Sequence, residues 1–176
     1  MSIENKREVT LLTKEAIAQR VKELGETLTG YYTDKNLMVV SLLKGSFIFT
    51  ADLVREMPIP VKIEFMITSS YGHGHESSGK LEVKKDIEGS IEGYDVLVVD
   101  DITDSGITMK NVMAHLVSKG AKSVKSCVLL DKPSRRQVDI VPDFVGFEIP
   151  DKFIVGYGLN YGDYYRNVPH VFAFED

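Results

Sequence analysis

Residues 96 to 108 read Val-Leu-Val-Val-Asp-Asp-Ile-Thr-Asp-Ser-Gly-Ile-Thr, and the change of pattern within them decides the fold. Val96 to Val99 is a short apolar, largely β-branched run, as in a strand buried on both faces of a parallel sheet. The run breaks at Asp100 and Asp101, where the strand is expected to stop. Ser105, Gly106 and Thr108 then make a small-residue turn, after which Met109, Val112, Met113, Leu116 and Val117 recur at helical spacing. A strand that turns into a helix start offers an anion site, because the first backbone N–H groups lack partners and the helix dipole favours negative charge. Asp100, Asp101 and Asp104 beside a phosphate cradle would repel a ligand that was phosphate alone. They suit one that also brings hydroxyls, a shared metal ion or a proton, as a sugar phosphate with a pyrophosphate and Mg²⁺ does. The plainer alternative is a joint whose Asp and Ser residues only cap the helix.

On either side the chain alternates strand and helix. Residues 13 to 32 form an amphipathic helix with Thr13 as N-cap and Ile17, Val21, Leu24 and Leu28 on one face. Leu37 to Leu43 is a buried strand broken at Lys44-Gly45-Ser46, and Phe47 to Met57 has helical spacing up to Pro58. Val61, Ile63, Phe65 and Ile67 alternate as a strand, and the chain turns polar from Ser69 to about Gly93. After a helix stop at Gly120 come a buried strand, Val124 to Leu130, two shorter ones, Phe144 to Ile149 and Phe153 to Tyr157, and a last one, Val171 to Phe174. This order predicts an α/β fold, a mainly parallel sheet with helices on both faces. Ligands in such folds bind at the carboxyl ends of the strands. The loops starting at Lys44, Asp100, Asp131 and Lys152 all follow strands and are expected to build one site.

A length of 176 residues, 43% hydrophobic and 27% charged, predicts one globular domain over residues 1–176. The apolar runs are too short to span a bilayer, and the first residues, MSIENKREVT, show no secretory h-region. The single Cys127 lies in an apolar run, so it reads as a buried, inert thiol, and the expected compartment is the cytoplasm. With a net charge of −5, a polyanionic ligand must be held by local positive groups or a metal, and no nucleic-acid partner is expected.

Several residues outside the opening stretch carry candidate chemistry. Lys44 is placed to donate to a phosphate while Gly45 lets backbone N–H groups approach. The polar stretch contains Ser70 and Tyr71 directly after a strand, with Gly72, Gly74, Gly79 and Gly89, and reads as a mobile lid. His73 and His75 have no third ligand nearby and read as solvated. Lys132 follows a buried strand where a ring carbonyl can accept its proton. Phe153 can stack on a base and Ile154 can pair through its backbone, unless both are simply core strand.

The stretch 96–108 resembles the signature of the type I phosphoribosyltransferases, which bind 5-phosphoribosyl-1-pyrophosphate. With the Lys44-Gly45 loop, LLDKPSRR at 129–136 and FVGFEIPDKFIVGYGL at 144–159, the chain resembles the hypoxanthine–guanine phosphoribosyltransferases from Lys44 to Arg166. The resemblance implies a twisted parallel sheet flanked by helices, a base-binding hood from about 150 to 176 and a flexible lid at about 70–86. It implies a purine-salvage transferase that joins hypoxanthine or guanine to 5-phosphoribosyl-1-pyrophosphate with Mg²⁺, as a homodimer or homotetramer. Carried over residue by residue, Asp104 is the general base at the purine N7. Asp100 and Asp101 hold the ribose hydroxyls directly or through Mg²⁺. Ser105, Gly106 and Thr108 hold the 5′-phosphate. Lys132 reads the 6-oxo group, Phe153 stacks on the purine and Ile154 pairs with its edge. Lys44, Gly45 and Arg166 hold pyrophosphate, the peptide between Lys44 and Gly45 is expected to be cis, and Ser70 and Tyr71 open the lid.

Two residues depart from the family pattern. Thr103 replaces a branched aliphatic residue, a packing change expected to touch no ligand position. Asn160 stands where an Asp helps to place a second Mg²⁺, and an amide oxygen brings no charge to a hard cation. A regulator that binds RNA or nucleotide on the same fold, and a transferase for xanthine, are the alternative readings.

Overall fold

A computed structural model describes residues 7–70 and 81–175. In chain order the elements are β1 (Arg7–Leu12), α1 (Lys14–Tyr32), β2 (Leu37–Leu43), α2 (Phe47–Arg55), β3 (Lys62–Ser70) and β4 (Leu81–Lys85). There follow β5 (Asp95–Thr103), α3 (Ile107–Ser118), β6 (Ser123–Asp131), a 3₁₀ turn at Pro133–Arg135, β7 (Phe144–Glu148), β8 (Ile154–Val155) and β9 (Val171–Glu175).

Six strands form one sheet in the order β4-β3-β2-β5-β6-β7. Every neighbouring pair is parallel except β3 with β4. The central strands are apolar on both faces because both faces are covered. Val39, Leu97, Val99 and Leu129 pack with α1 and α2, while Met38, Val40, Val96 and Val98 pack with Met109, Val112 and Leu116 of α3. Helix α1 starts as its sequence predicts: Ala16 N donates to Thr13 Oγ1 at 3.1 Å, and Ile17, Val21, Leu24 and Leu28 face the core. A second, antiparallel sheet, β1-β9-β8, stands apart as a small hood and joins the two ends of the described chain.

Strand β5 runs further than its apolar pattern. It stays paired with β6 through Asp100↔Val128, Ile102↔Leu130 and Thr103↔Asp131, so the acidic residues sit on the strand's end rather than in a loop beyond it. The polar stretch also holds a strand. Leu81–Lys85 lies antiparallel on β3, so the expected lid at 70–86 gives up its last third to the sheet edge. Tyr71, His73 and His75 lie outside the described residues. Among the described residues no helix is long and apolar enough to cross a membrane. Cys127 is fully buried, and burial pushes its thiol up to about 12, which makes it inert.

Candidate active site

The carboxyl ends of β2, β5 and β6 bring the expected loops together. Between β5 and α3 the chain turns through Gly106, whose φ of +81° only glycine adopts without strain and whose Cβ would collide with Ile140. Gly106 occupies the N-cap of α3 with no side-chain cap, and the first turn carries no acidic residue. This helix start borders a cavity of about 210 Å³ lined by Asp100, Ile102, Thr103, Asp104, Ser105, Gly106, Thr108 and Met109, and helix N-termini favour anions. Thr103 was expected to stay clear of ligand positions. The structure instead puts it on the cavity wall, 3% exposed, its hydroxyl without a hydrogen-bond partner among the described residues.

A second cavity, of about 340 Å³, shares Asp100 and Thr108 with the first and extends to Gly45, Asp101, Thr68 and Ser69. Ser70 ends β3 on this side, its backbone paired with Leu81. Lys44 is exposed at the end of β2. The cis peptide expected within Lys44-Gly45 lies one bond earlier, at Leu43–Lys44. A Cβ on Gly45 would overlap the Asp101 carboxylate, and one on Gly158 would overlap the Gly45 carbonyl, so three chain segments meet at backbone distance. Buried hydroxyls brace this loop from below: Ser41 Oγ lies 2.8 Å from both Ser46 Oγ and Thr50 Oγ1, and Ser46 Oγ donates to Leu42 O at 2.6 Å. Across it, Arg166 Nη1 donates to Gly158 O at 2.7 Å, and burial raises the Asp101 carboxyl, an effect the Arg166 charge offsets only in part. Asn160 is exposed nearby in sequence, with Nδ2 donating to Gly162 O at 2.6 Å.

Beside Asp104, Lys132 is buried, with only 8% of its side chain exposed. Its Nζ donates to Lys152 O at 2.6 Å and lies 3.8 Å from Asp104 Oδ1. That oxygen is buried and has no hydrogen-bond partner among the described residues. Phe153 is 61% exposed, with Tyr161 meeting it edge-on at 5.8 Å, so a face is open to a flat ring. The Ile154 side chain is core, paired with Ala173 in the hood, so only its backbone is on offer. The structure thus brings Gly45, Asp100, Asp101, Asp104, Ser105, Gly106 and Thr108 onto the two cavities and Lys132 to within 3.8 Å of Asp104. Arg166 reaches the Gly45 loop only through Gly158, Phe153 and Ile154 follow Lys152, whose carbonyl Lys132 holds, and Lys44 and Asn160 are exposed. Arg136 went unread in the sequence. Its Nη1 donates to Asp104 O at 2.9 Å and its Nη2 to Asp131 Oδ1 at 2.5 Å.

Asp100 and Asp101 are adjacent carboxylates at a partly buried strand end. Desolvation, and then the charge of Asp101, push the Asp100 carboxyl well above the usual range; desolvation also raises Asp101. Hard oxygen donors held in such an unfavourable anionic pair fit a divalent cation or hydroxyl donors of a sugar. Among the described residues no cluster of three or more acidic, His or Cys side chains could complete a metal site, so further ligands would have to come from substrate oxygens. The same shift predicts a stability effect. Below about pH 4 the Asp100 proton is held in folded and unfolded chains alike. Above that the unfolded chain ionises first, so native stability falls as pH rises. Without divalent cation, Asp100→Asn should therefore melt above the native protein at pH 7.5, the gap closing toward pH 4. Native protein melting higher at pH 7.5 would remove the strain assigned to this carboxylate.

The phosphoribosyl transferase domain family matches residues 9–162. The chain is 51% identical to a hypoxanthine-guanine phosphoribosyltransferase of Aquifex aeolicus, over 99% of this chain and 98% of the relative. It is 45% identical to that of Bacillus subtilis, over 93% and 91%. In structure it is similar to a hypoxanthine phosphoribosyltransferase of Staphylococcus aureus, with a TM-score of 0.92 at 44% identity, covering 95% of this chain and 91% of the other.

Proposed function

Because the chain belongs to the phosphoribosyl transferase family, we infer that the two joined cavities transfer a 5-phosphoribosyl group to a 6-oxopurine. The enzyme is a hypoxanthine phosphoribosyltransferase of purine salvage: hypoxanthine, or guanine, and 5-phosphoribosyl-1-pyrophosphate give IMP, or GMP, and pyrophosphate. The observation that carries the site assignment is the approach of Lys132 and Asp104 to 3.8 Å at the phosphate-binding turn, with the exposed Phe153 next in sequence to the Lys152 carbonyl that Lys132 holds. Nucleotide formation from hypoxanthine, guanine, xanthine and adenine with the one co-substrate tests the reading. IMP must form, and its absence would end this assignment.

The residues divide the work. The amides from Ser105 to Thr108 hold the 5′-phosphate. Asp100 and Asp101 would hold the ribose hydroxyls, directly or through Mg²⁺. Lys44, Gly45 and Arg166 face the pyrophosphate. Mg²⁺, when bound, supplies positive charge for the departing pyrophosphate. As the bond from the anomeric carbon to the pyrophosphate oxygen breaks, that oxygen keeps the electron pair and purine N9 bonds to the carbon. The N7 proton passes to the Asp104 carboxylate. Phe153 and Lys132 keep the ring in line for the attack.

Asn160 offers an amide oxygen where its relatives' pattern has a carboxylate, since its nitrogen is engaged by Gly162. Mg²⁺ is usually held by one or two carboxylates plus substrate oxygens, so the missing charge weakens its hold without removing it. Asn160→Asp should reach full kcat/KM at lower Mg²⁺ than the native enzyme. Superimposed curves would place residue 160 beyond the metal's reach. A lone buried cysteine supports a reducing cytoplasm as the compartment. Phe47, Ile63 and Phe65, each about 40% exposed, support assembly as a homodimer or homotetramer.

A further inference from the structure

Segment 131–140 crosses over the phosphate-binding turn and grips it by its main chain. Gln137 N donates to Ser105 O at 2.9 Å, and the side chains of Ile140, Arg136 and Val138 crowd the α-carbon of Gly106. At the centre of this strap is the Arg136 guanidinium, on a side chain only 16% exposed. One arm of its fork holds the Asp104 carbonyl, the other the Asp131 carboxylate, itself 9% exposed at the end of β6. A planar fork held at both tips fixes direction as well as distance. Lys132 follows Asp131 directly, and its own N–H donates to Thr103 O at 3.0 Å, the residue before Asp104. The two groups that meet the purine thus hang from backbone that Arg136 ties together. Arg135, its neighbour, is half exposed and pairs with Asp151 on the surface, so the two arginines do different things.

We propose that Arg136 is a positioning residue for phosphoribosyl transfer, holding the Asp104 main chain so that its carboxylate meets the purine N7 in line with Lys132. The proposal rests on the reading of Asp104 as proton acceptor. Arg136 touches neither substrate. It acts through the placement of Asp104, and a misplacement of about 1 Å at a reacting group costs on the order of 10²-fold in rate. Because the interaction is a fork and not a charge, Lys is a poor substitute.

The test is a double-mutant cycle on kcat at saturating hypoxanthine and 5-phosphoribosyl-1-pyrophosphate, with thermal melting recorded for each protein. Arg136→Gln should lower kcat about 100-fold in the native background, and Arg136→Lys should lower it as well. In the Asp104→Asn background the same changes should cost little more, because the group being positioned is already lost. A merely structural arginine would cost the same factor in both backgrounds, and that result, or an unchanged kcat in Arg136→Gln, overturns the proposal. If Arg136→Gln does not fold, Arg136→Lys carries the same cycle with the charge beside Asp131 retained. The single Asp104→Asn protein reports separately on the proton acceptor: full kcat there would refute that role first, and the positioning role with it.

Discussion

Asp104→Asn should lower kcat by about 10²–10⁴-fold, the usual contribution of a placed acid–base group, while the KM for 5-phosphoribosyl-1-pyrophosphate changes little. The substitution keeps the shape of the side chain and removes only its ability to take a proton. The carboxylate is well prepared for that task. Its Oδ1 is buried without a hydrogen-bond partner, and the nearest cation, Lys132 Nζ, stands off at 3.8 Å. An oxygen left unsatisfied in the free protein is one that a purine N–H can satisfy. The competing explanation, that Asp104 exists to cap α3, finds no support in the geometry. Gly106 is the N-cap and makes no side-chain cap bond, while the Ile107 N–H leans on Ser105 Oγ at 3.3 Å. On the proposed reading the 5′-phosphate rests on backbone amides that the substitution leaves alone, hence the steady KM. A near-normal kcat with an unchanged melting temperature would show that the proton leaves by another route.

Those parts of the fold that rest on local pattern were readable along the chain. Thr13 caps α1 as its position predicts, and Leu37–Leu43 is a strand to the residue, because burial on both faces leaves an unbroken apolar run. Pattern misleads where function interrupts it. Strand β5 continues through Asp100 and Asp101, since its pairing with β6 is made by backbone and is indifferent to side-chain polarity. Strands β1 and β4 were not read because they alternate between exposed and half-buried and bury no full face. Most of the polar residues that line the two cavities were legible by resemblance, as small or charged residues at or just beyond strand ends. Arg136 was not, for a physical reason: in Pro-Ser-Arg-Arg nothing local tells which arginine turns inward, and the Asp104 carbonyl that receives it is 32 positions away. The hydroxyls of Ser41, Ser46 and Thr50 were missed likewise, as a serine in a buried strand signals nothing until its partners are placed.

Hypoxanthine should exceed adenine in kcat/KM by about 10⁴–10⁵, the scale on which a site built for one hydrogen bond rejects a ligand that cannot make it. On the proposed reading the discriminating atom is Lys132 Nζ. An ammonium has three protons and no lone pair, so it can only donate. One proton goes to Lys152 O at 2.6 Å, which turns the head of the side chain and leaves the others for the cavity and Asp104. A 6-oxo group accepts from it. The 6-amino group of adenine presents N–H against N–H, and Lys132 is too buried, at 8% side-chain exposure, for water to repair the loss. Binding adenine would therefore strand a buried donor as well as forgo a bond, which is why the penalty is large. Lys132→Gln separates this account from a steric one. A glutamine amide both donates and accepts and is uncharged, so the variant should lose activity on hypoxanthine and narrow the ratio, whereas a pocket that excludes adenine by shape would keep it. If Lys132→Gln retains the native ratio, or if the native enzyme uses the two bases at comparable rates, the choice of base is made somewhere other than at Lys132.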